Sequence, residues 1–382
     1  MTSFMKFYDW LTVSQEHPHD LPLVCDTFFM SVDAITGDVL STTQRKVKHK
    51  ASYSTSVDIH VVGRTVRVDG NPSRIGRLDN LFGFSKIEHC IAVFNRLLAE
   101  RGLPPFTKCT RVYIRDGKSG GRAGDLVADG AVIHRIDMTT NIAVGQGNEP
   151  LYIKSLSSQR IGHSIGFLYP NGKTCTWTPE GNGKGGRLEY RKAYCKTTEL
   201  NKKLLTRVLR EFGPSSFEYQ YVCKVRDFCQ VNGVVRMEQE LKAEYLKRKG
   251  LAFWGLFDEN LLQAKHDEFL SVDNKLQVNA MDITTIADEL LNRGYVRSRQ
   301  AANSTASVAF LWMQGQPLGI KQRQFEEHAA RLNKIGINIR NECDHSKFSP
   351  IIIREVRELT KSLLRMPEGN WYRRPNHLQV AA

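Results

Sequence analysis

Two segments far apart in the chain carry the same two-sided pattern, and it constrains the fold more than any other feature. Ile133-His-Arg-Ile-Asp-Met138 puts Arg135 and Asp137 on one side of an extended chain, with Ile136 and Met138 on the other. Val234-Val-Arg-Met-Glu-Gln-Glu-Leu-Lys242 likewise puts Arg236, Glu238 and Glu240 on one side. A period of two commits both segments to strands, and each strand then carries a charged face. Further strand patterns over Lys6 to Val13, Thr27 to Val32, Asp58 to Val62, Thr65 to Val68, Ser164 to Tyr169 and Thr174 to Thr178 are separated by Gly, Asp and Pro.

Helical spacing enters at Ser85 to Arg101. There Ser85 and Glu88 form a capping-box pattern, Ile87, Ile91, Phe94 and Leu98 recur on one side, and Gly102 and Pro104 supply the stop. The segment Arg187 to Lys196 reads as a strand running into a helix over Thr198 to Phe212. Beyond about residue 255 the pattern turns helical, at Ile283 to Asn292, Ser304 to Gln314, Lys321 to Ile335 and Ile351 to Leu364. The expected architecture is α+β: a mixed, largely antiparallel sheet domain over 1–254 and a helical C-terminal region over 255–382. Gln324 to Ile339 has the cadence of a helix, a glycine turn and a following element. It suits a helix-turn-helix on duplex DNA or a helical hairpin packed on the sheet domain.

Charge narrows the partner. The chain of 382 residues has 54 Lys and Arg against 40 Asp and Glu, a net +14, which favours a polyanion. The surplus is concentrated in Ser41 to Leu78, with eight bases and two acids, and in Lys184 to Arg210, with nine bases and two acids. Arg354, Arg357, Lys361, Arg365, Arg373 and Arg374 add backbone-contact candidates near the end. Eight cysteines without a Cys-x-x-Cys pair argue for reduced thiols and against a structural zinc. The Gly-rich stretch between Arg115 and Asp129 lacks the Gly-Lys-Ser/Thr ending of a P-loop, so ATP binding is not expected. No apolar run approaches a bilayer span, and the start carries Asp9 where a signal peptide would be apolar. A cytoplasmic protein with no membrane partner is therefore expected.

Asp137, Glu238 and Tyr194 lie on separate segments that a sheet could bring together. Two carboxylates suit a hard divalent cation, Mg2+ or Mn2+, which keeps waters and binds a phosphate as well. A tyrosine beside it, its pKa lowered by the ion and by lysines, could attack phosphorus, while Arg135, Arg236 or Lys196 neutralises the charge on the phosphate oxygens. Taken alone, the same residues read equally well as strand salt bridges and a half-buried packing tyrosine.

Four stretches in order carry a resemblance: Asp79-Asn-Leu-Phe-Gly-Phe-Ser-Lys-Ile-Glu-His-Cys90, Ile133 to Thr139, Thr174-Cys-Thr-Trp177 with Ala193-Tyr-Cys-Lys-Thr-Thr-Glu-Leu200, and Val235 to Leu251. Together they resemble the filamentous-phage gene II/gene X replication initiator family and, more distantly, plasmid rolling-circle initiators of the Rep_trans type. The resemblance covers about residues 5 to 255, with a weaker continuation through Ala306 to Ile339. It implies a site-specific nickase and DNA-joining enzyme at a double-stranded replication origin, working in the host bacterial cytoplasm with host helicase and DNA polymerase and handling the displaced single strand. It further implies Tyr194 as nucleophile, Lys196 and Arg135 as catalytic neighbours and Asp137 and Glu238 as metal ligands. Arg187, Arg191, Lys192, Arg236 and Tyr190 would contact DNA. A non-catalytic origin-binding regulator on the same scaffold is the competing class. Tyr190, four residues before Tyr194, also raises a two-tyrosine HUH initiator, whose paired histidines could come only from His17-Pro18-His19.

Overall fold

The computed structural model describes residues 6–22, 24, 28–44, 47–50, 56–115, 124–272, 283–313, 315–340 and 362–376. Its strands in chain order are β1 (Lys6–Glu16), β2 (Phe28–Val32), β3 (Val39–Gln44), β4 (Val47–Lys50), β5 (Ser56–Val62), β6 (Thr65–Gly70), β7 (Val112–Ile114), β8 (Leu126–Ala128), β9 (Val132–Ala143), β10 (Ile165–Leu168), β11 (Thr174–Thr178), β12 (Glu189–Cys195), β13 (Val234–Lys242) and β14 (Ser362–Leu363). The main sheet of the described residues runs β10-β11-β12-β13-β9-β1-β6-β5-β4, with β14 also on β9. Every pairing in it is antiparallel. With the helices below, this is an α+β fold.

Alternation decides what each face of the sheet buries. Leu11, Ile136, Met138, Met237 and Ala193 point to one face and are buried there. On that face the helix Ile87–Ala99 presses Ile87, Ile91, Phe94 and Leu98 against Leu11, Val13 and Ile136. Glu149–Ser157 adds Tyr152, Ile153 and Leu156 over Trp177, Ala193 and Met237. The helix Asn260–Leu270 joins this layer through Phe269, edge-on to Trp177 at 5.4 Å. Trp177 is thus a core residue, its indole N–H donated to the Gln159 carbonyl at 2.9 Å.

The start of the first helix differs from expectation. Lys86 is its N-cap, without a side-chain cap. The Ile87 N–H is donated instead to the Glu259 carboxylate, 3.1 Å away and 172 residues later in the chain. A remote acid at a helix N-terminus satisfies the same orphan donor and the same dipole as a local cap.

The second face is polar over its centre and closed at one end by apolar packing. There the helix Phe217–Asn232 buries Tyr221, Val222, Val225 and Cys229 with Leu200, Leu204, Val208, Leu364 and Tyr372. The C-terminal segment 362–376 therefore returns to the sheet. Helices Ile283–Asn292, Arg299–Met313 and Gln322–Lys334 share a separate core of Leu290, Ala306, Trp312, Leu332 and Ile337. Most of the expected helix Ile351 to Leu364, with Arg354, Arg357 and Lys361, lies outside the described residues, as do Cys25 and Cys343.

Candidate active site on the polar face of the sheet

Cross-strand register assembles the site as three rungs. Trp10, Asp137, Glu240 and Tyr190 form one, Thr139, Glu238 and Lys192 the next, and Asn141, Arg236 and Tyr194 the third. All lie on the polar face, since each strand contributes alternate residues. Asp137, Glu238 and Tyr194, far apart along the chain, are brought together this way.

Tyr194 donates its phenolic O–H to Glu238 Oε2 at 3.1 Å, and Lys192 Nζ holds Glu238 Oε1 at 2.6 Å. The Lys192 ammonium also lies 5.8 Å from the centre of the Tyr194 ring. Burial works against ionisation of Glu238, but Lys192 and Arg236 outweigh it and hold the carboxyl below its usual range. Burial, and after it the Glu238 charge, push Tyr194 well above the ordinary phenol value. The expectation that neighbouring lysines lower this tyrosine is therefore corrected: the adjacent carboxylate and desolvation dominate. The pair rests as protonated tyrosine on ionised glutamate.

Asp137 is clamped by the fork of Arg135, Nε at 2.8 Å and Nη2 at 2.7 Å. Arg135 also reaches Glu240 at 3.5 Å and lies over the Trp10 ring at 5.4 Å. Burial, with Glu238 and Glu240 nearby, nevertheless raises Asp137 to about 7 against the pull of Arg135. Asp9 is a site residue that the sequence does not mark. Pairing jumps from Tyr8–Met138 to Trp10–Asp137, so Asp9 is the extra residue of a β-bulge and adds a further carboxylate to Asp137, Glu238 and Glu240. It accepts from Asn71 at 2.7 Å and Asn80 at 3.0 Å and lies 3.7 Å from Arg236.

Tyr194 opens onto a cleft of about 260 Å³ lined by Lys173, Lys192, Lys202 and Lys203 together with Thr198 and Glu199. Lys202 and Lys203 come from a π-helical turn, Leu200–Leu205, inserted between the helical segments Lys196–Glu199 and Thr206–Phe212. Such turns recur at functional sites because one extra residue re-aims the side chains around it. A cleft lined by four lysines and a tyrosine makes a fitting seat for a phosphodiester.

Other expected residues lie elsewhere. Lys196 is fully buried, its Nζ on Asn80 Oδ1 at 2.8 Å and Glu199 Oε2 at 2.7 Å, so it braces the floor of the site without touching Tyr194. Arg236 is also fully buried, bonded to Asn141 and to the carbonyls of Asn80 and Leu81 and stacked on Phe7. It acts on Tyr194 through charge and is not a DNA-contacting surface. Arg191 falls on the opposite face, paired with Glu189 at 2.5 Å, because odd positions of β12 point to the packed side. Arg187 is exposed and paired with Glu244 at 2.7 Å. Tyr190 shares the face of Tyr194, but its hydroxyl is donated to the Gly183 carbonyl at 3.3 Å, and burial raises it to about 12. His17 and His19 follow the end of β1, some seven residues past Trp10 and hence roughly 23 Å along the strand from the carboxylates. Among the described residues no three His, Cys, Asp or Glu side chains are grouped to hold a metal. Nor is any described helix long and apolar enough to cross a membrane.

Comparison with known proteins agrees along most of the chain. The family model for the N-terminal part of the phage replication-associated protein, the gene II product, matches residues 7–260, and the model for its C-terminal part matches 290–378. The replication-associated protein of this type from Escherichia phage If1 is 44% identical over 326 residues, 85% of this chain and 99% of its own length. No solved structure matches. The chain therefore belongs to the gene II family of phage replication-associated proteins.

Proposed function

We propose that this chain is the DNA-nicking and DNA-joining enzyme of rolling-circle replication, with Tyr194 as its nucleophile. The observation that carries the reading is a tyrosine whose hydroxyl donates to a buried, ionised carboxylate and whose side chain lines a lysine-rich cleft. The Tyr194 oxygen attacks the scissile phosphorus as its proton passes to Glu238 Oε2. The bond from phosphorus to the 3′-oxygen breaks, and that oxygen leaves as a hydroxyl after taking a proton from solvent. The 5′-phosphate stays esterified to Tyr194. In the joining direction a 3′-hydroxyl attacks the phosphotyrosine and gives its proton to solvent, and the departing phenolate recovers a proton from Glu238. One phosphodiester is broken and one made, so no ATP is consumed.

The resting proton balance leans against attack, since Tyr194 is raised and Glu238 lowered. Lys173, Lys202 and Lys203 bind and orient the phosphate, and Lys192 keeps Glu238 ionised and in place. Mg2+ or Mn2+ suits the donor chemistry: Asp137 and Glu238 present oxygen only, on neighbouring rungs of the sheet, and a cation held there would take the place that Arg135 now fills on Asp137. Asp137 and Glu238 would hold the cation, which would offset charge on the non-bridging oxygens. DNA at a replication origin is the proposed substrate, with host helicase and polymerase acting after the nick.

The test is incubation with supercoiled origin DNA and Mg2+. Wild type is expected to give a nicked circle with covalently attached protein, and Tyr194→Phe neither. If Tyr194→Phe nicks as wild type, the nucleophile is elsewhere. A wild-type chain that binds origin DNA without ever forming the adduct favours the non-catalytic regulator.

A further inference from the structure

The strand that carries Tyr194 ends one residue later, and beside that end lies a second pocket that the chemistry above does not use. Its volume is about 340 Å³, and its walls come from separate parts of the chain. Gln146 and Glu149 stand at the start of the helix Glu149–Ser157, Lys173 just before β11, Cys195 and Asn201 after the nucleophile, and Gln230 on the helix Phe217–Asn232. Lys173, Cys195 and Thr198 line this pocket and the Tyr194 cleft alike, so the two are contiguous. Backbone bonds fix the walls. Val144 N–H is donated to the Gly233 carbonyl at 3.1 Å and Gly145 N–H to the Asn232 carbonyl at 3.0 Å, while Cys195 N–H is donated to the Lys173 carbonyl at 3.0 Å.

Glu149 is the residue in these walls that lacks an explanation. It is only 6% exposed, yet the one donor its carboxylate meets among the described residues is the Cys195 thiol, Sγ to Oε1 at 3.8 Å. That thiol is itself held by the Thr198 hydroxyl, which donates to it at 3.3 Å. The second oxygen, Oε2, has no partner there and keeps contact with solvent. A position in the first turn of a helix favours the negative charge but leaves this acceptor empty. A carboxylate taken this far out of water is costly until a donor reaches it. The neighbouring carboxamides of Gln146, Asn201 and Gln230 are neutral, and each can both donate and accept.

We propose that this pocket takes the base of a nucleotide beside the scissile phosphate, and that it reads adenine. The base is unpaired and unstacked, with its edge exposed to side chains, and its amino group donates to Glu149 while a carboxamide pairs with the ring nitrogen beside it. Thymine fits worst, since it has no amino group and would set a carbonyl oxygen against the carboxylate. Guanine presents two acceptors on the edge where adenine has its amino group, which suits a cation better than an acid. Cytosine has the amino group but lacks the neighbouring N7 that a carboxamide takes up. Glu149 thus sets which base stands next to the nucleophile, and the lysines of the adjoining cleft hold the phosphate whatever the base.

The inference rests on the reading of Tyr194 as a DNA-cleaving nucleophile, but its test needs no cleavage. Fluorescein-labelled short oligothymidylates carry one central adenine, guanine, cytosine or unsubstituted purine, the last being adenine without its amino group. Their binding to wild type, Glu149→Ala and Glu149→Gln is measured by anisotropy in EDTA. Wild type is expected to bind the adenine oligomer about 5- to 150-fold more tightly than the all-thymine one, the discrimination of one well-made base contact. Unsubstituted purine should lose most of that gain. Glu149→Ala should bind all the oligomers alike, whereas Glu149→Gln keeps an acceptor oxygen and should keep a preference for adenine over unsubstituted purine. Removing a negative charge strengthens every oligomer together, so these ratios do not respond to charge alone. Equal binding of adenine and unsubstituted purine by wild type overturns the pocket, whether or not the variants fold. So does an adenine preference that survives in Glu149→Ala, and tighter binding of guanine or cytosine overturns adenine as the base. A wild type that shows the preference but forms no covalent adduct on origin DNA sinks the nickase reading and leaves the choice of base standing; an adduct without the preference does the reverse.

Discussion

Replacing Glu238 by glutamine separates two of the jobs assigned to its carboxylate, holding Lys192 and taking the Tyr194 proton. One oxygen accepts from Lys192 at 2.6 Å, the other from Tyr194 at 3.1 Å. The amide keeps the shape and can still accept from Tyr194, but it cannot take the proton. Loss of a general base lowers a rate by about 10²- to 10⁴-fold. DNA affinity should change little, because Lys173, Lys202 and Lys203 remain. The structural cost is separate: Lys192 loses its counter-charge, which is worth about 1–3 kcal/mol. The lower end applies, since the Lys192 side chain is 33% exposed and can hydrate. Adding Lys192→Met removes the orphaned charge and should restore stability to urea without restoring the rate. The assays are urea denaturation and the time course of covalent adduct at saturating DNA. Ultraviolet titration of tyrosinate supplies a third readout. With the Glu238 charge gone, Tyr194 should ionise at lower pH than in wild type, though still above an ordinary phenol because burial, the larger cause, remains. A Glu238→Gln rate within tenfold of wild type refutes the proton-acceptor role. Recovery of rate together with stability in the double variant would mean that Glu238 serves only to neutralise Lys192.

Three further outcomes are expected. His266 is buried on Thr140 and Gln239, with its pKa lowered to about 3 by burial and then Lys6, so the folded chain keeps it neutral while the unfolded chain protonates it below about 6.5. Stability from this group is therefore unaffected above that pH and falls by about 1.4 kcal/mol per unit below it. His266→Gln should remove that slope in urea titrations between the two values, and an unchanged slope would exclude His266 as its source. Gly233 holds φ 57° at the end of the helix Phe217–Asn232, and a Cβ there would meet the Gly145 carbonyl oxygen at 1.8 Å. Gly233→Ala should cost upward of about 1–2 kcal/mol, and a melting temperature equal to wild type would contradict the close approach. Trp177→Ala, which empties the contact with Phe269 and the bond to Gln159, should cost about 3–5 kcal/mol by denaturant melts; a loss below about 1 kcal/mol would remove Trp177 from the core.

What can be read in the sequence, and what cannot, follows from how far each pattern reaches. The two-residue period places Asp137, Glu238 and Tyr194 on strands, and their meeting is a consequence of β12, β13 and β9 being neighbours. The Phe217–Asn232 helix escapes a periodicity reading because its buried stripe is thin, Tyr221, Val222, Val225 and Cys229 amid polar residues. Its ends are nonetheless marked, by Ser216 capping Tyr219 and by left-handed Gly233. The Ser85–Glu88 box misleads for the converse reason: a local pattern loses to Glu259, which arrives from another part of the chain.

The site residues divide along the same line. Extending alternation past Tyr194 puts Lys196 beside it on the polar face, but β12 stops at Cys195 and a helix begins at Lys196. The change of period turns that lysine inward to Asn80 and Glu199, so motif spacing overstates its reach. Asp9 is the opposite case. Nothing in Lys6-Phe-Tyr-Asp-Trp-Leu marks a bulge, because a bulge is a mismatch between two strands and belongs to neither alone. The direction of the Tyr194 shift is of the same kind. Lysines two residues either side in sequence argue for a lower value, whereas register sets Glu238 against Lys192 and puts the carboxylate on the hydroxyl. Electrostatics at this site is a property of rungs, and a rung is defined only once strands from three parts of the chain have paired.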